Sequence, residues 1–338
     1  MLNKNFFKNK SVLITGASGS IGSEITRKVL NSKCKVVRAM SNDENGLYYL
    51  MEELTNKNVS IVRNMRRNSI RYLIGDIRDY KRCKEITRNI DIVIHAAALK
   101  HVPLCEYNPL EADKTNIRGT LNLVKASKIN KVKKFLFIST DKVVNPTSVM
   151  GKGKKTAEKI VLKFNSKTKS TLFSVIRFGN IIGSRGSVLP KFLSQIEKNK
   201  NLTVTSKEMT RFFITIDKAV KEIINSIKIM KGNEIFILNK MDAFRIFDLA
   251  ESLKKKFNFK KKIIISGLRD GEKIYEQLFT YDETKRLVIK DNFLIIKNSI
   301  TKKNFINKNK QNLISHSKDA KLLNKRNITN FLKKARLI

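Results

Sequence analysis

The chain has 338 residues, 41% of them apolar, so it can bury a sizeable core in one large domain or two closely joined ones. Its 70 basic and 29 acidic side chains give a formal net charge of +41, which ordinarily suggests a polyanionic partner such as nucleic acid. Lysine is abundant along the whole chain, however, and no basic stretch alternates with aromatic residues as in single-strand binders. We therefore attribute the charge to compositional drift and expect no nucleic-acid partner.

Membrane and metal-binding classes are also disfavoured. No apolar run approaches the roughly 20 residues of a membrane span, and the first ten residues lack the apolar stretch of a signal peptide, which predicts a cytoplasmic protein. The three cysteines, Cys34, Cys83 and Cys105, are too few and too scattered for a disulfide framework or a metal cluster. We expect reduced thiols and no metal.

Short apolar runs rich in valine, isoleucine and phenylalanine alternate along the chain with segments of helical spacing. This pattern is typical of a parallel sheet buried on both faces and predicts an α/β fold with a Rossmann-like, doubly wound sheet. The predicted strands are 12–14, 36–37, 72–74, 92–94, 135–138, 173–176 and 235–238. The predicted helices are 22–30, 46–54, 110–129, 156–164 and 219–230.

After about Gly179 the pattern loosens. Residues 177–192 are predicted to form a loop, and 241–300 combine one helix, 246–257, with short strands, which indicates a smaller substrate-binding part. Because the strand at 235–238 belongs to the main sheet, the two parts interleave in sequence. We predict a cofactor-binding domain at 1–180 and 213–240, a substrate-binding domain at 181–212 and 241–300, and a basic, partly ordered C-terminal tail at 301–338 with weak helical periodicity near 322–337.

The segment VLITGASGSIGSEI places three glycines after the first predicted strand and at the start of a helix. Small residues permit a close approach to a pyrophosphate, and the helix N-terminus supplies free N–H groups and a positive dipole end. The alternative is a tight strand-to-helix turn, but the strand before and the helix after favour a dinucleotide cofactor. The candidate contacts of this glycine turn are Gly16, Ser18, Gly19, Ser20, Ile21 and Gly22.

The end of the second strand bears on the choice of cofactor. An acidic residue there would bind the ribose 2′-hydroxyl of NAD, but Ser41 occupies the expected position, so the 2′-phosphate of NADP would meet no carboxylate. This favours NADP. NAD stays open, because Asp43, beyond Asn42, would be the ribose partner in a shifted register.

Two further segments complete the predicted cofactor site. Asp76 and Ile77 follow the third strand, where a carboxylate can accept a hydrogen bond from the adenine amino group; the alternative for Asp76 is a simple turn former. Ala96, Ala97 and Ala98 follow the fourth strand, and their small side chains would let the cofactor lie against the strand ends.

A stretch after the fifth strand, FLFISTDKVVNPTSVMGKGK, delivers polar residues to the carboxyl edge of the sheet. Together with the glycine turn, GDIRD at 75–79, AAALKHVP at 96–103 and the lysine at 154, it resembles the extended short-chain dehydrogenase/reductase superfamily. More specifically, HAAALKHVPLCEYNPLEADKTN, STDK, RFGNIIGSRGSVLP, MTRFF and GLRDGEK resemble the UDP-N-acetylglucosamine 4,6-dehydratases of bacterial and archaeal polysaccharide and glycoprotein synthesis. The resemblance extends from about residue 10 to 280.

The resemblance implies hydride transfer from C4 of the sugar to NADP⁺, loss of water across C5 and C6, and return of the hydride to C6. It makes Asp141 the acid at the C6 oxygen and Lys142 the base at C5. It also makes Thr140 a hydrogen-bond partner of the C4 hydroxyl and Lys154 a ligand of the nicotinamide ribose. Since an amine base must be neutral, we expect burial, Lys154 and the nicotinamide to lower the pKa of Lys142.

Met150 departs from the superfamily pattern, because it stands four residues before Lys154 where a tyrosine base is usual. A thioether cannot accept the C4 hydroxyl proton. A methionine here also resembles one branch of these dehydratases, so we do not interpret it as loss of activity. A water held by Thr140 is one replacement for the phenolate.

The resemblance also implies a site for UDP-N-acetylglucosamine or a related UDP-N-acetylhexosamine. It places Asn116 behind the active-site backbone, and Asp270 replaces a proline of the family motif, which makes that loop less rigid. Arginine suits a diphosphate, and a carboxylate suits ribose hydroxyls. The implied substrate contacts are Lys100, Asn180, Ser187, Val188, Leu189, Arg211, Arg269 and Glu272.

Two rival functions remain at this stage. A UDP-sugar C4 epimerase shares the fold and cofactor, but it would keep the tyrosine and lack an Asp-Lys pair after the Ser-Thr. A non-catalytic protein that binds NADP or nucleic acid is favoured by Met150 and by the charge. Relatives of this kind commonly pair or form larger rings, so we also expect a homo-oligomer, although the spacing of residues does not reveal one.

Overall fold

The computed structural model describes residues 6–56, 69–165, 170–297 and 313–338. Its strands are β1 (Ser11–Thr15), β2 (Val36–Ser41), β3 (Ile70–Ile74), β4 (Ile92–His95), β5 (Lys134–Thr140), β6 (Leu172–Phe178), β7 (Asn180–Ile181), β8 (Leu202–Val204), β9 (Thr210–Ile214), β10 (Ile235–Leu238), β11 (Asp242–Arg245), β12 (Ile263–Ile265), β13 (Leu287–Lys290) and β14 (Phe293–Ile296).

The helices are α1 (Ser20–Leu30), α2 (Glu44–Asn56), α3 (Tyr80–Thr87), α4 (Val102–Tyr107), α5 (Pro109–Asp113), α6 (Thr120–Ile129), α7 (Val149–Lys163), α8 (Val188–Glu197), α9 (Ile216–Ile229), α10 (Ile246–Lys256), α11 (Tyr281–Thr284) and α12 (Lys325–Lys334). A π-helical turn, Lys114–Gly119, joins α5 to α6 where the sequence predicts one uninterrupted helix.

The main sheet of the described residues has the strand order β13-β14-β10-β6-β5-β4-β1-β2-β3. It is parallel from β3 to β10, and β14 and β13 add an antiparallel edge. All seven predicted strands lie in it, and the predicted doubly wound α/β fold is confirmed. Strands β13 and β14 join this sheet, although the predicted division groups residues 241–300 with the substrate-binding part.

Both faces of this sheet are covered by helices. Side chains of α1, α2 and α9 pack on one face, and those of α3, α6 and α7 on the other. In β1, Val12 and Ile14 lie in the first core and Leu13 in the second, all fully buried. This two-sided burial explains why the strands are continuous apolar runs rather than alternating ones. It also directs the carboxyl ends of the parallel strands to one edge.

A smaller lobe, made of the short sheets β11-β9-β7 and β12-β8 with α8, α10 and α12, lies beside that edge, and one prediction about it needs correction. Residues 177–192, predicted as a loop, contain β7 and the start of α8. The tail, predicted to be partly ordered, contributes α12, whose Ile328 and Leu332 are fully buried in the core of the lobe with Phe213 and Phe244. Residues 301–312 lie outside the described part. The periodicity near 322–337 is thus a packed helix.

Candidate active site

A cavity of about 1060 Å³ lies at the carboxyl edge of the main sheet, between this edge and the smaller lobe. It brings together nearly all of the predicted site residues. Asp141 is the first exception, because it is fully buried beneath Thr140 and Lys142. Leu189 is the second, since its side chain is buried in the core of the small lobe. The predicted residues that line the cavity are Gly16, Ser18–Gly22, Ser41, Asn42, Asp43, Asp76, Ile77, Ala96, Ala97, Ala98, Lys100, Thr140, Lys142, Met150, Lys154, Asn180, Ser187, Val188, Arg211, Arg269 and Glu272.

The glycine turn (residues 16–22) has no room for side chains at its first and last glycines. Gly16 has φ +67°, and a Cβ there would lie 2.7 Å from the backbone nitrogen of Ala97. A Cβ on Gly22 would lie 2.1 Å from the carbonyl oxygen of Gly16. Gly19 caps α1 without a side-chain hydrogen bond. The turn therefore presents backbone N–H groups at a helix N-terminus, which suits a pyrophosphate.

Around the predicted adenosine end, the side chains are engaged with one another. The hydroxyls of Ser18 and Ser41 lie 2.8 Å apart, and Asp43 accepts a hydrogen bond from the backbone nitrogen of Gly46 at 2.9 Å. Asp76 accepts from the backbone and guanidinium of Arg78, both at 2.8 Å. Asp43 thus stabilises the start of α2. Asp76 accepts hydrogen bonds within a turn, as in the alternative interpretation of this residue as a turn former.

His95, which the sequence analysis missed, supports the strand end behind the cofactor region. Its Nδ1 lies 2.7 Å from Thr15 Oγ1 and its Nε2 lies 3.0 Å from Thr120 Oγ1. Thr120 donates to the carbonyl of Asn116, so Nε2 carries the hydrogen and Nδ1 accepts from Thr15. Burial, followed by the charge of Lys154, lowers the pKa of His95 to about 3. The imidazole ring is therefore uncharged and lies beneath the floor of the cavity.

Lys142 is the centre of a group that we call the lysine cluster: Asp141, Lys142, Asn180, Arg211 and Glu276. Asp141, Arg211 and Glu276 are buried, whereas Lys142 and Asn180 are partly exposed to the cavity. The Lys142 ammonium donates to Asp141 Oδ1 and Asn180 Oδ1, each at 3.0 Å, and lies 3.2 Å from Glu276 Oε1. Burial alone would lower the pKa of Lys142, but the Asp141 and Glu276 carboxylates raise it above its ordinary value. The pKa of Lys142 is therefore raised, where the sequence analysis expected it to be lowered.

Thr140 connects the cluster to the cavity. Its hydroxyl donates to Asp141 Oδ1 at 2.9 Å. Burial and, in addition, the charge of Glu276 raise the pKa of Asp141, although Lys142 opposes the shift. Asp141 is therefore a better proton acceptor than an ordinary aspartate, and the Thr140 hydroxyl lies between it and the cavity.

Met150 and Lys154 lie on α7 at the wall of the cavity. Met150 is almost fully buried and packs with Cys105 and Ala112. The Lys154 ammonium donates to the carbonyl of Ile138 at 2.9 Å, and burial lowers its pKa to about 8 despite the opposing charge of Glu158. The lysine with the lowered pKa is thus Lys154 rather than Lys142.

The side chains of several predicted substrate contacts form hydrogen bonds with backbone carbonyls of the protein. Lys100 donates to the carbonyl of Arg185 at 2.6 Å, and the Arg185 guanidinium donates to the carbonyl of Ser18 in the glycine turn. Arg211, almost fully buried, donates to the carbonyls of Thr210, Ile274 and Lys273. Sequence reasoning missed Arg185, although it lies in the quoted RFGNIIGSRGSVLP motif.

Asn116 has the supporting role that the sequence analysis expects, and Glu272 lies beside Arg269 and Arg211. The Asn116 amide bonds both the backbone nitrogen of Leu99, at 2.9 Å, and its carbonyl, at 3.0 Å. It therefore holds the backbone next to Lys100. Glu272 accepts from the backbone nitrogen of Arg269 at 3.2 Å, and its carboxylate lies 3.9 Å from the Arg211 guanidinium. These groups meet at the small-lobe end of the cavity.

Glu276 is the most informative residue that sequence reasoning missed. It lies three residues after the end of the GLRDGEK motif, between β12 and β13, and its side chain is 2% exposed. Nothing in the local pattern distinguishes it from a surface glutamate, because its contact with Lys142 depends on how the small lobe meets the sheet. Its proximity to the quoted motif was the only available signal.

Known proteins resemble this chain over most of its length. The model of a family described as polysaccharide biosynthesis proteins matches residues 12–298. The chain belongs to this family. An uncharacterized membrane protein of Methanocaldococcus jannaschii is 43% identical, with 97% of each chain covered. In the described ranges of the present chain, no helix is long and apolar enough to cross a bilayer.

Other relatives carry enzyme names of two kinds. A UDP-N-acetylglucosamine 4,6-dehydratase (inverting) of Campylobacter jejuni is 40% identical over 87% of this chain and 84% of its own. A UDP-glucose 4-epimerase of Rickettsia bellii is 38% identical over 82% of this chain and 80% of its own. Among solved structures, Pen from Bacillus thuringiensis has a TM-score of 0.89 and 40% identity, covering 98% of this chain and 99% of Pen. These similarities support a nucleotide-sugar-modifying enzyme of this family.

Proposed function

We propose that this protein catalyses the NADP-dependent 4,6-dehydration of UDP-N-acetylglucosamine, or a related UDP-N-acetylhexosamine, for polysaccharide or glycan biosynthesis. The observation that carries the proposal is the sequence Thr140-Asp141-Lys142 at the carboxyl end of β5, beside the cavity that the glycine turn faces. Elimination of water needs an acid and a base close together, and this strand end supplies both.

The cofactor part of the proposal depends on the fit of the glycine turn. A Cβ on Gly16 or Gly22 would collide with backbone atoms of Ala97 or of the turn itself, so only glycine permits this turn, and the N-terminus of α1 faces the cavity. Lys154 would hold the nicotinamide ribose. Ser41 leaves room for a 2′-phosphate without a carboxylate at that position, which favours NADP over NAD. The bound nicotinamide would accept a hydride from C4 and return it to C6.

The elimination would use the lysine cluster. Once C4 is a ketone, the C5 proton is acidic, and Lys142 is the base that removes it. Asp141 supplies the proton that leaves with the C6 oxygen as water. Since Asp141 lies beneath the cavity surface, we assign its exchange of protons with the sugar oxygens to the Thr140 hydroxyl, 2.9 Å away. Met150 takes no part in proton transfer.

The substrate would lie between Lys100 and the small lobe. Arg211 and Arg269 are suited to the diphosphate, and Glu272 to the hydroxyls of the uridine ribose. Asn180 borders both Lys142 and the cavity, so it lies where the diphosphate meets the sugar. Ser187 and Val188 start α8 beside it.

The chain would thus consist of a cofactor-binding part, which includes β13 and β14, and a smaller substrate-binding part.

An epimerase is the competing function, because a relative in Rickettsia bellii is named UDP-glucose 4-epimerase. A C4 epimerase needs only the hydride step and a base for the C4 hydroxyl. Here that base is replaced by buried Met150, whereas Asp141 and Lys142 provide groups that only an elimination requires. These residues favour the dehydratase.

Proton NMR of the protein incubated with UDP-N-acetylglucosamine in D₂O tests the proposal. A new 6-methyl signal is expected, and the ring couplings will report retention or inversion at C5. Conversion to the C4 epimer without a methyl signal would identify the epimerase instead. Tight DNA or RNA binding with a steep salt dependence, and no turnover of any nucleotide sugar, would indicate a binding protein.

A further inference from the structure

The Lys142 ammonium donates hydrogen bonds to Asp141 and Asn180 and forms an ion pair with Glu276. An ammonium cannot remove a proton from C5. If the protein is the dehydratase proposed above, on which this inference rests, Lys142 must first give a proton to a neighbouring group. Asn180 is an amide and cannot take it, so only the two carboxylates remain.

Asp141 is occupied at the step when Lys142 must become neutral. Oxidation at C4 releases the hydroxyl proton, and Met150 cannot accept it. The hydroxyl of Thr140 connects the cavity with Asp141 Oδ1, so this proton reaches Asp141, which keeps it for the departing C6 oxygen. The proton of Lys142 then needs a different acceptor.

Glu276 has the geometry of that acceptor. Its Oε1 lies 3.2 Å from Lys142 Nζ, and its Oε2 is buried without a hydrogen-bond partner among the described residues. The other charged groups that face it are Arg211, with Nε 3.6 Å from Oε1, Lys273, with Nζ 3.9 Å from Oε2, and Asp141, across Lys142. A carboxylate 2% exposed, with a free oxygen, can hold a proton away from solvent.

We propose that Glu276 is a positioning residue that stores the proton of Lys142 during elimination. After C4 oxidation, the N–H bond of Lys142 breaks and an O–H bond forms on Glu276, which leaves a neutral amine beside a carboxylic acid. The amine takes the C5 proton while Asp141 releases its proton to the C6 oxygen, and water departs. When the hydride has returned to C6, Lys142 protonates C5 and recovers its own proton from Glu276.

This sequence leaves the enzyme as it began. Asp141 gains the C4 hydroxyl proton and loses it to water, and Lys142 and Glu276 exchange one proton in each direction. On an inverting path another donor would supply C5 from the opposite face, and Lys142 would return its excess proton to that donor. Burial would raise the pKa of Glu276, but Lys142, Arg211 and Lys273 lower it, so Glu276 starts as a carboxylate without a proton of its own.

The test is Glu276→Gln in the full-length protein, which keeps the size and an oxygen acceptor but cannot take a proton. The C4 oxidation should still occur, so the absorbance of reduced nicotinamide should build up after substrate is added. Formation of the 6-methyl product should fall about 100-fold or more, within the usual range for loss of one proton-transfer group. Glu85→Gln, an exposed change on α3 with the same chemistry, should behave like the wild type.

Glu276→Asp provides the second variant, because it keeps a proton site at greater distance. It should recover part of the product formation and lower the accumulation of reduced cofactor. Product formation by Glu276→Gln at the wild-type rate would overturn the inference. So would equal loss of reduced-cofactor formation and of product in both variants, since that indicates a structural role. If the wild type itself makes no methyl product, the proposed function has failed instead.

Discussion

The glycine turn and the lysine cluster face the same cavity but are built in opposite ways. The turn is assembled from one continuous segment, without charged side chains, and would bind its ligand through backbone N–H groups at the start of α1. The cluster brings ionised side chains from three separate segments together at the cavity wall, where Asp141, Arg211 and Glu276 are buried. Steric change should therefore disable the turn, whereas loss of a single charge should disable the cluster.

The largest expected effect is at the cluster. Lys142→Ala removes the base, so dehydration should fall about 10⁴-fold, at the top of the usual range for one acid–base group. Cofactor should stay bound because the glycine turn is untouched. The 6-methyl NMR signal and the nicotinamide content of the purified protein measure the two effects.

Two controls sharpen this result. Lys152→Ala removes an exposed lysine from α7 and should leave turnover unchanged. Met150→Leu keeps the buried volume beside Cys105 and Ala112 and should cost far less than Lys142→Ala. Equal damage from Lys142→Ala and Met150→Leu would show that the Asp141–Lys142 pair does not carry the proton transfer.

The turn should fail for a steric reason. Gly22→Ala places a Cβ 2.1 Å from the carbonyl oxygen of Gly16, so the purified protein should contain no nicotinamide. The overpacking should also cost roughly 1–3 kcal/mol of stability. Gly153→Ala is the matched control, since its nearest heavy atom beyond the helix is 3.7 Å away. It should retain cofactor and gain about 0.5–1 kcal/mol from helix propensity. Cofactor retention by Gly22→Ala would refute the turn as the cofactor site.

The C-terminal helix tests whether the small lobe depends on the tail. Leu332 of α12 is fully buried with Phe244 and Leu249, so Leu332→Ala should lower the free energy of unfolding by about 2–4 kcal/mol. Asn330→Ala, an exposed change on the same helix, should alter it by less than about 0.5 kcal/mol. Chemical denaturation measures both. An unchanged stability for Leu332→Ala would mean that α12 does not belong to this core.

His95 should produce the smallest effect, and it depends on pH. Its pKa is about 3 in the folded protein and 6.5 ordinarily, so below pH 6.5 the unfolded chain binds a proton that the folded chain does not. The contribution of neutral His95 to the free energy of unfolding is therefore fully present above pH 6.5. It is lost on acidification, by about 2 kcal/mol between pH 6.5 and 5. Urea unfolding at several pH values should show this slope, and His95→Gln should abolish its share. His316→Gln, a change at a half-buried histidine elsewhere, should leave this pH dependence in place.

Much of the fold could be predicted because its signals are local. The strands are rich in apolar residues on both faces, and the helices show an amphipathic period, as in α9. The prediction failed where a contact distant in sequence supplies the stability. Residues 177–192 look like a loop because their glycines dominate the pattern, yet α8 begins at Val188 and buries Leu189 and Phe192. In α12 only Ile328 and Leu332 are fully buried, which explains why the helical periodicity predicted near 322–337 is weak.

The sequence alone determined the parallel sheet, the glycine turn and the family, since each depends on neighbouring residues whose spacing is visible in the chain. Only the tertiary structure decided the electrostatics. The sequence predicts a lowered pKa for Lys142, but folding places Glu276 and Asp141 against its ammonium and raises the pKa, while burial lowers that of Lys154 instead. A pKa responds to every charge within a few ångströms, and those charges come from segments that only the fold brings together.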